Sequence, residues 1–158
     1  MSNKILSIKE AVGIAKTLHN KHKSIVVAGG FFDILHTGHI KFLGNAKKYG
    51  DYLFVLLEDD NKAKQIKGPK RPINSQRNRA KILSSLKSVD FVILLKNMTN
   101  NSDYDKIIVQ IAPNVIAATS GDPYMNHKKR QAKKIKGKAI FVIHRIYDHS
   151  TTQLAKNI

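Results

Sequence analysis

The chain has 158 residues and a formal net charge of +17 at pH 7, from 28 Lys and Arg against 11 Asp and Glu. This length supports one domain with a real core, the lack of cysteine excludes disulfides and thiolate chemistry, and no apolar stretch is long enough to span a membrane. The excess positive charge predicts an anionic partner, which could be a nucleotide, a nucleic acid or an anionic lipid.

Apolar spacing along the chain predicts helices and strands in alternation. Residues 7–20 begin the series, because their apolar side chains recur at helical spacing and Ser7 with Glu10 fits a capping box. Short apolar runs predict the strands. The predicted helices cover residues 7–20, 39–48, 75–86, 103–111 and 126–136, with a short final helix from residue 150. The predicted strands cover residues 24–28, 52–57, 91–95, 115–118 and 139–144.

This alternation predicts a single Rossmann-like α/β domain over residues 1–158, with a five-stranded parallel sheet flanked by helices. Ligands of such sheets bind outside the carboxyl ends of the strands. Polar clusters follow four predicted strands, at residues 29–39, 58–60, 120–122 and 145–152. We therefore expect the functional site at this edge of the sheet.

The stretch AGGFFDILHTGH, residues 28–39, follows the first predicted strand and carries the strongest functional pattern. Gly29 and Gly30 allow a tight turn and a close approach of the backbone to a ligand. His36 and His39 are three residues apart, so they share a face at the start of the next helix. A helix N-terminus attracts anions, and imidazole donors beside its amides would bind phosphate oxygens.

Paired histidines at this spacing also occur in metal sites and as ordinary surface or core residues. No cysteine and no clear third ligand accompanies His36 and His39, so we predict no metal held by protein ligands. The intervening Gly38, together with the glycine turn that precedes both histidines, favours the anion site over an ordinary structural role.

A second pattern is the basic connection NKAKQIKGPKRPIN, residues 61–74, interpreted as a loop because Gly68, Pro69 and Pro72 interrupt it. Lys67, just before the glycine, can serve as a mobile cation over a triphosphate. The length of the connection and its glycine favour a lid. A charged surface loop is the alternative.

A third pattern lies near the C-terminal end, where Ser150, Thr151 and Thr152 open the last predicted helix. Three hydroxyl side chains at a helix N-terminus would form a second anion site. An ordinary helix cap, which needs only Ser150, is the alternative.

The stretch AGGFFDILHTGH resembles the HxGH signature of the nucleotidyltransferase superfamily, which includes cytidylyltransferases and adenylyltransferases. The resemblance implies that His36 and His39 contact the nucleotide phosphates and stabilise the transition state, with Lys67 contacting the phosphates from the loop. It also implies Mg²⁺ on the triphosphate, and a loop-orienting role for Asp33 in place of general-base catalysis. Arg79 matches a family arginine near the active site, with a helix-face salt bridge as the alternative.

The resemblance extends to the C-terminal pattern, where STTQL matches the element that holds the terminal phosphates. Arg145 resembles the arginine of the pattern RTEGISTT, which helps to bind the acceptor or the phosphates. The predicted catalytic residues are His36, His39 and Lys67. The predicted nucleotide-binding residues are Gly30, Phe31, Phe32, Asp33, Gly38, Gly121, Asp122, Ser150, Thr151 and Thr152. The predicted substrate-binding residues are Asp60, Arg79 and Arg145.

Within the superfamily, nearly the whole chain resembles the adenylyltransferase domain of ADP-heptose synthase, notably in KGPKRPIN and KSVDFVILL. The chain departs from that family at the glycine turn, where it has GGFFD in place of NGCFD. A second departure lies after the fourth predicted strand, where Thr119 replaces the lysine of VKGGDY.

The resemblance implies transfer of AMP from ATP to a small sugar or alcohol phosphate, with release of pyrophosphate. CTP with glycerol 3-phosphate or phosphoethanolamine is one alternative, and adenylylation of FMN is another. A non-enzymatic nucleic-acid-binding protein is a distant alternative, because the interleaved aromatic residues of a single-strand platform are missing. We expect a nucleoside triphosphate and a small phosphorylated substrate as partners, a homodimer, a cytoplasmic location, and neither nucleic acid nor a membrane as a partner.

Overall fold

The computed structural model describes residues 3–143 and 151–156, and within them six parallel strands form one sheet with helices on both faces. The strands are β1 (Ile5–Leu6), β2 (Ile25–Gly30), β3 (Tyr52–Leu57), β4 (Phe91–Leu94), β5 (Val115–Thr119) and β6 (Lys138–Ile143). The helices are α1 (Ile8–Asn20), α2 (Thr37–Lys47), α3 (Asp60–Lys67), α4 (Gln76–Ser84), α5 (Asn101–Ile111), α6 (Met125–Lys134) and α7 (Thr151–Ala155). The strand order is β1-β4-β3-β2-β5-β6, so β3 and β2 lie at the centre.

Strand β1 corrects the predicted strand number, because it makes the sheet six-stranded and not five-stranded. Its two residues, Ile5 and Leu6, pair with Val92 and Ile93 of β4. Two residues are too few to show an alternating pattern, so the sequence carried no periodic signal for this strand.

Capping side chains determine where several helices begin. Ser7 accepts a hydrogen bond from the backbone of Glu10, whose carboxylate accepts one from the backbone of Ser7, so the predicted capping box forms. Asp59 caps α3 by accepting a hydrogen bond from the backbone of Lys62 at 2.7 Å. The loop interpretation of residues 61–74 was therefore wrong in its first half, where this cap starts a helix within a strongly charged segment.

Two apolar layers, one on each face of the sheet, build the core. Val27 and Phe54 of the central strands pack on the face covered by α1, α5 and α6. Their neighbours Val26 and Val55 pack on the face covered by α2 and α4. Because both faces are covered, the central strands are apolar along their length and hold their carboxyl ends in fixed positions.

The other predicted elements form with small shifts at their ends. Helix α2 begins two residues earlier than predicted because His36 caps it. Helix α6 ends at Lys134 and strand β6 at Ile143, while residue 150, the predicted start of the last helix, lies outside the described residues. None of the helices in the described part is long and apolar enough to cross a bilayer.

Candidate active site

The chain reverses direction after β2 in a turn built around Phe32. This residue has a positive φ of 47°, and its side chain is buried. A Cβ on Gly30 would lie only 3.0 Å from the Phe32 ring, so the missing side chain of Gly30 makes room for that ring. The turn therefore depends on Gly30 for packing as well as for backbone freedom.

Asp33 fastens the turn to the segment after α3. Its carboxylate accepts hydrogen bonds from Arg71 Nε and from the backbone amides of Ile73 and Asn74, each at 2.8 Å. Burial would raise the pKa of Asp33, but the hydrogen bonds from Asn74, Ile73 and Arg71 outweigh it and lower the pKa. An ionised carboxylate with these partners orients a loop and has little capacity left for proton transfer.

Arg79 connects three segments beneath the site. Its side chain is fully buried, with Nη1 donating to Phe31 O at 2.6 Å and Nε donating to Asn74 O at 3.0 Å. Its Nη2 donates to Asp60 at 2.7 Å, and Asp60 also accepts from the backbone of Gln76. The predicted substrate contacts of Arg79 and Asp60 stay predictions, because the geometry shows both side chains bonded within the protein.

The two histidines form a stacked pair, termed here the imidazole pair. His36 is the N-cap of α2, and its Nδ1 accepts a hydrogen bond from the backbone of Gly38 at 3.1 Å. The ring centroids of His36 and His39 are 3.8 Å apart, and the ring of Phe32 meets His39 edge-on at 5.2 Å. Because Nδ1 of His36 accepts, a neutral His36 carries its proton on Nε2.

His39 is neutral at pH 7. Burial, followed by the charges of His36 and Lys67, lowers its pKa to about 4. Its Nδ1 is buried and has no hydrogen-bond partner among the described residues. An imidazole with these surroundings is ready to interact with an added anion, because negative charge nearby would favour its protonated form.

Lys67 is the last residue of α3, and its side chain lines the same pocket as His39. Its Nζ lies 5.4 Å from the centroid of the Phe31 ring, and partial burial together with the charge of Arg71 lowers the pKa of its amine. A pocket of about 100 Å³ opens between the turn and this helix. The pocket is lined by Phe31, Phe32, Asp33, His39, Lys67 and Arg71. Five of these six were predicted as site residues, and the pocket combines a cation with a neutral imidazole.

The end of β5 supplies the next predicted residues. Gly121 has a φ of 78°, which glycine adopts without strain, and it begins the connection to α6. Asp122 accepts a hydrogen bond from the backbone of Tyr124 at 2.8 Å and forms an ion pair with Lys128 at 2.6 Å. The predicted nucleotide contacts of Gly121 and Asp122, like that of Gly38, stay predictions.

The C-terminal pattern is only partly described. Arg145 and Ser150 lie outside the described residues. Thr151 begins α7, and Thr152 is exposed in that helix. The second anion site predicted for these residues therefore stays a prediction.

Four residues of this region, Arg71, Asn74, Glu58 and Tyr104, were given no role from the sequence. Arg71 and Asn74 hold Asp33, although they lie 38 and 41 residues away in the chain. Glu58 was grouped with a polar cluster but given no role, and its partner Tyr104 comes from α5, 46 residues away. The run KRPIN was the available signal for Arg71 and Asn74; the pairing of Glu58 with Tyr104 had none.

Comparison with known proteins places these features in a family. A cytidylyltransferase-like family model matches residues 27–156. The bifunctional protein HldE of Helicobacter hepaticus (strain ATCC 51449 / 3B1) is 36% identical over 158 residues, covering 100% of this chain and 31% of that protein. The bifunctional protein HldE of Aliarcobacter butzleri (strain RM4018) is 47% identical over 95 residues, covering 60% of this chain and 20% of that protein. The chain thus spans less than a third of the length of these relatives.

Solved structures agree with this assignment. A crystal structure described as the lipopolysaccharide core biosynthesis protein from Thermoplasma volcanium GSS1 aligns with a TM-score of 0.63 and 31% identity, covering 80% of this chain and 99% of that one. The pantoate-beta-alanine ligase from Francisella tularensis aligns with a TM-score of 0.64 and 18% identity, covering 99% of this chain and 74% of that one, and supports the fold alone. The chain therefore belongs to the cytidylyltransferase-like family and is a nucleotidyltransferase.

Proposed function

We propose that this chain transfers AMP from ATP to a small sugar phosphate and releases pyrophosphate, as an ADP-heptose synthase-like adenylyltransferase. The observation that carries the proposal is the imidazole pair at the start of α2, with Lys67 across the pocket from His39. Support for a sugar acceptor comes from the Thermoplasma volcanium protein, which is described as acting in lipopolysaccharide core biosynthesis.

In the proposed reaction, an oxygen of the acceptor phosphate attacks the α-phosphorus of ATP. A new oxygen–phosphorus bond forms while the bond from the α-phosphorus to the bridging oxygen breaks, and the electron pair leaves with pyrophosphate. A phosphate monoester is already largely ionised at pH 7, since its second pKa is about 6. The site therefore has no need of a general base, in keeping with the three donors that occupy Asp33.

The protein contributes positioning and charge stabilisation. Nε2–H of a neutral His36 can donate to a phosphoryl oxygen, and His39 gains a proton more readily once the triphosphate brings its negative charge. Lys67 is a compact cation beside the pocket, suited to the pyrophosphate that departs. Charge that develops in the transition state meets groups already in place.

Mg²⁺ would shield the β- and γ-phosphates and help pyrophosphate to leave. In the described part of the chain, no group of three or more His, Cys, Asp or Glu side chains is arranged to hold a metal ion. These residues are compatible with a Mg²⁺ ion that arrives bound to the triphosphate, because such an ion takes most of its ligands from phosphate oxygens and water.

The test is a pyrophosphate-release assay that crosses ATP, CTP, GTP and UTP with heptose 1-phosphate, glycerol 3-phosphate, phosphoethanolamine and FMN. We expect turnover with ATP and heptose 1-phosphate. Turnover with CTP and not ATP would overturn the choice of nucleotide. Release with FMN and with no sugar phosphate would overturn the acceptor class.

We also propose that Lys67 and residues 68–70, which precede the anchored Arg71, close over the bound triphosphate. Gly68 follows α3 with a φ of 102°, a conformation that glycine adopts freely and that suits a hinge. Limited proteolysis should cut residues 67–70 in the free protein, ahead of the segment that Asp33 holds, and spare them when ATP and Mg²⁺ are added. Equal cleavage with and without ATP and Mg²⁺ would contradict closure.

A Lys67→Met variant should lose this protection and should raise the KM for ATP about tenfold or more. Lys64→Met, an exposed lysine on the same helix, is the matched control and should behave as the wild type.

A further inference from the structure

Gly29 presents an open patch at the carboxyl end of β2. It is exposed, its φ is not positive, and it pairs with Leu56 of β3. A Cβ placed on Gly29 would lie 3.8 Å from Leu56 O and 4.0 Å from Leu56 Cβ, which is ordinary contact. Glycine weakens a strand relative to alanine, and the described residues give no packing reason for it here, unlike at Gly30. Glycine within a strand often marks a place where a ligand approaches the backbone closely, and we interpret Gly29 in this way.

Glu58 borders this patch on the same face of the sheet. Leu56 belongs to the apolar layer under α1, α5 and α6. Glu58 follows Leu56 by two residues, and residues two apart along a strand lie on the same face of the sheet. The backbone amide of Glu58 donates to Gly30 O at 3.1 Å, which fixes the residue beside the glycine turn. Tyr104 in the first turn of α5 donates its hydroxyl to Glu58 Oε1 at 2.7 Å, which fixes the direction of the side chain.

One oxygen of the Glu58 carboxyl group has no partner in the part of the chain that the structure describes. Oε2 of Glu58 is buried, and no described residue donates to it. The nearby Lys62 amine donates instead to Met98 O at 3.2 Å. Buried carboxylate oxygens ordinarily find donors, so an unpaired one indicates a missing partner. Glu58 remains partly exposed, and its last torsion is soft, so a small rotation would turn Oε2 towards the open patch.

The chemistry of the missing partner follows from its position. The phosphate pocket, with His39 and Lys67, lies on the opposite face, where α2 packs. A carboxylate repels phosphate and accepts hydrogen bonds from hydroxyl groups. A molecule whose phosphate occupies the pocket would therefore bring its hydroxyl-bearing part across the edge of the sheet to Glu58.

We propose that Gly29, Glu58 and Tyr104 form a subsite for the hydroxyl groups of a sugar, with Glu58 accepting their hydrogen bonds and Gly29 leaving the space for the ring. The proposal rests on the proposed nucleotidyl transfer and adds specificity-determining residues to it. The sugar has two sources, the acceptor and the ribose of the nucleotide, and the experiment separates them.

The test measures steady-state kinetics of Glu58→Gln and Gly29→Val with ATP and heptose 1-phosphate. Glu58→Gln keeps the size of the side chain but loses an anionic acceptor, so we expect the KM for the sugar phosphate to rise about tenfold with kcat within about twofold. Gly29→Val suits a strand and fills the patch, so it should raise the same KM. Lys106→Gln, an exposed lysine on α5, is the control and should leave both KM values unchanged.

If the nucleotide supplies the sugar, the KM for ATP rises instead, and the preference for ATP over 2′-deoxy-ATP or 3′-deoxy-ATP falls in Glu58→Gln. Unchanged KM values for both substrates in both variants, with thermal midpoints at the wild-type value, would overturn the subsite.

If the wild type releases no pyrophosphate, the proposed nucleotidyl transfer fails, whether or not the subsite exists. Calorimetric titration of wild type and Glu58→Gln with heptose 1-phosphate, and with ATP, then decides the subsite, and equal affinities for both would overturn it.

Discussion

Two groups of polar side chains meet at the carboxyl edge of the sheet, and they differ in how far the protein satisfies them. The positioning network, formed by Asp33, Arg71, Arg79 and Asp60, is joined by ion pairs of 2.7–2.8 Å and by bonds to the backbone. The imidazole pair with Lys67 is different. There burial lowers the pKa of His39 and of Lys67, and His39 Nδ1 has no partner in the described part of the chain.

The difference separates two roles for polar groups at one site. A group whose hydrogen bonds are made within the protein holds segments in place and gains little when a ligand arrives. Arg71 is the exception in the network, because its buried Nη2 has no partner among the described residues and its side chain lines the pocket. A buried group with a hydrogen bond unmade, as at His39 Nδ1, gains most from an incoming anion. Removing a member of the network should therefore reduce stability first, whereas removing an imidazole should reduce turnover first.

The largest expected effect is on the network. Arg79→Met leaves the carbonyls of Phe31 and Asn74 without their donor and Asp60 without its ion pair. We expect the free energy of unfolding to fall by about 3–5 kcal/mol, measured by urea denaturation. Arg77→Met, an exposed arginine on the same helix, should change it by less than about 0.5 kcal/mol. Equal effects of the two variants would contradict the buried network.

The next largest effect is on turnover. His39→Ala should raise the activation free energy by about 2–4 kcal/mol, or slow kcat about 30- to 1000-fold, because one preorganised donor to the phosphates is lost. Its unfolding midpoint should stay close to that of the wild type. His22→Asn, an exposed histidine in the turn after α1, is the control and should retain full activity. A His39→Ala enzyme with normal kcat and lowered stability would contradict a role of His39 in turnover and would assign it the structural role of the network.

The two groups also differ in how far the sequence predicted them. The imidazole pair and Lys67 sit in short motifs whose spacing and residue types carry the chemistry, so they could be named from the sequence. The network joins residues up to 48 positions apart, and β1 consists of two residues that only pairing with β4 identifies. Helix α3 was missed for another reason: Gly68, Pro69 and Pro72 led to a loop interpretation of the whole segment, and no broad apolar face marked its first half as a helix.

A smaller effect concerns pH. The pKa of His39 in the folded protein, about 4, lies below the ordinary value of 6.5. Between pH 4 and pH 6.5, His39 is therefore protonated in the unfolded chain and neutral in the folded chain. The protein therefore keeps its full stability above pH 6.5 and loses stability as pH falls towards 4, because folding holds His39 in its neutral form. We expect this group to lower the free energy of unfolding by about 1–2 kcal/mol between pH 7 and pH 5. His39→Gln should lack this part of the slope, and an unchanged slope would contradict the lowered pKa.

The most direct test of the contrast is an NMR titration of the histidine rings with and without ATP and Mg²⁺, with His36 and His39 assigned by substitution. In the free protein His39 should stay neutral down to about pH 4. With saturating ATP the pKa of His39 should rise by about one unit or more, because the triphosphate brings negative charge close to the imidazole. A pKa of His39 that stays near 4 with ATP bound would contradict the claim that the imidazole pair receives the phosphates.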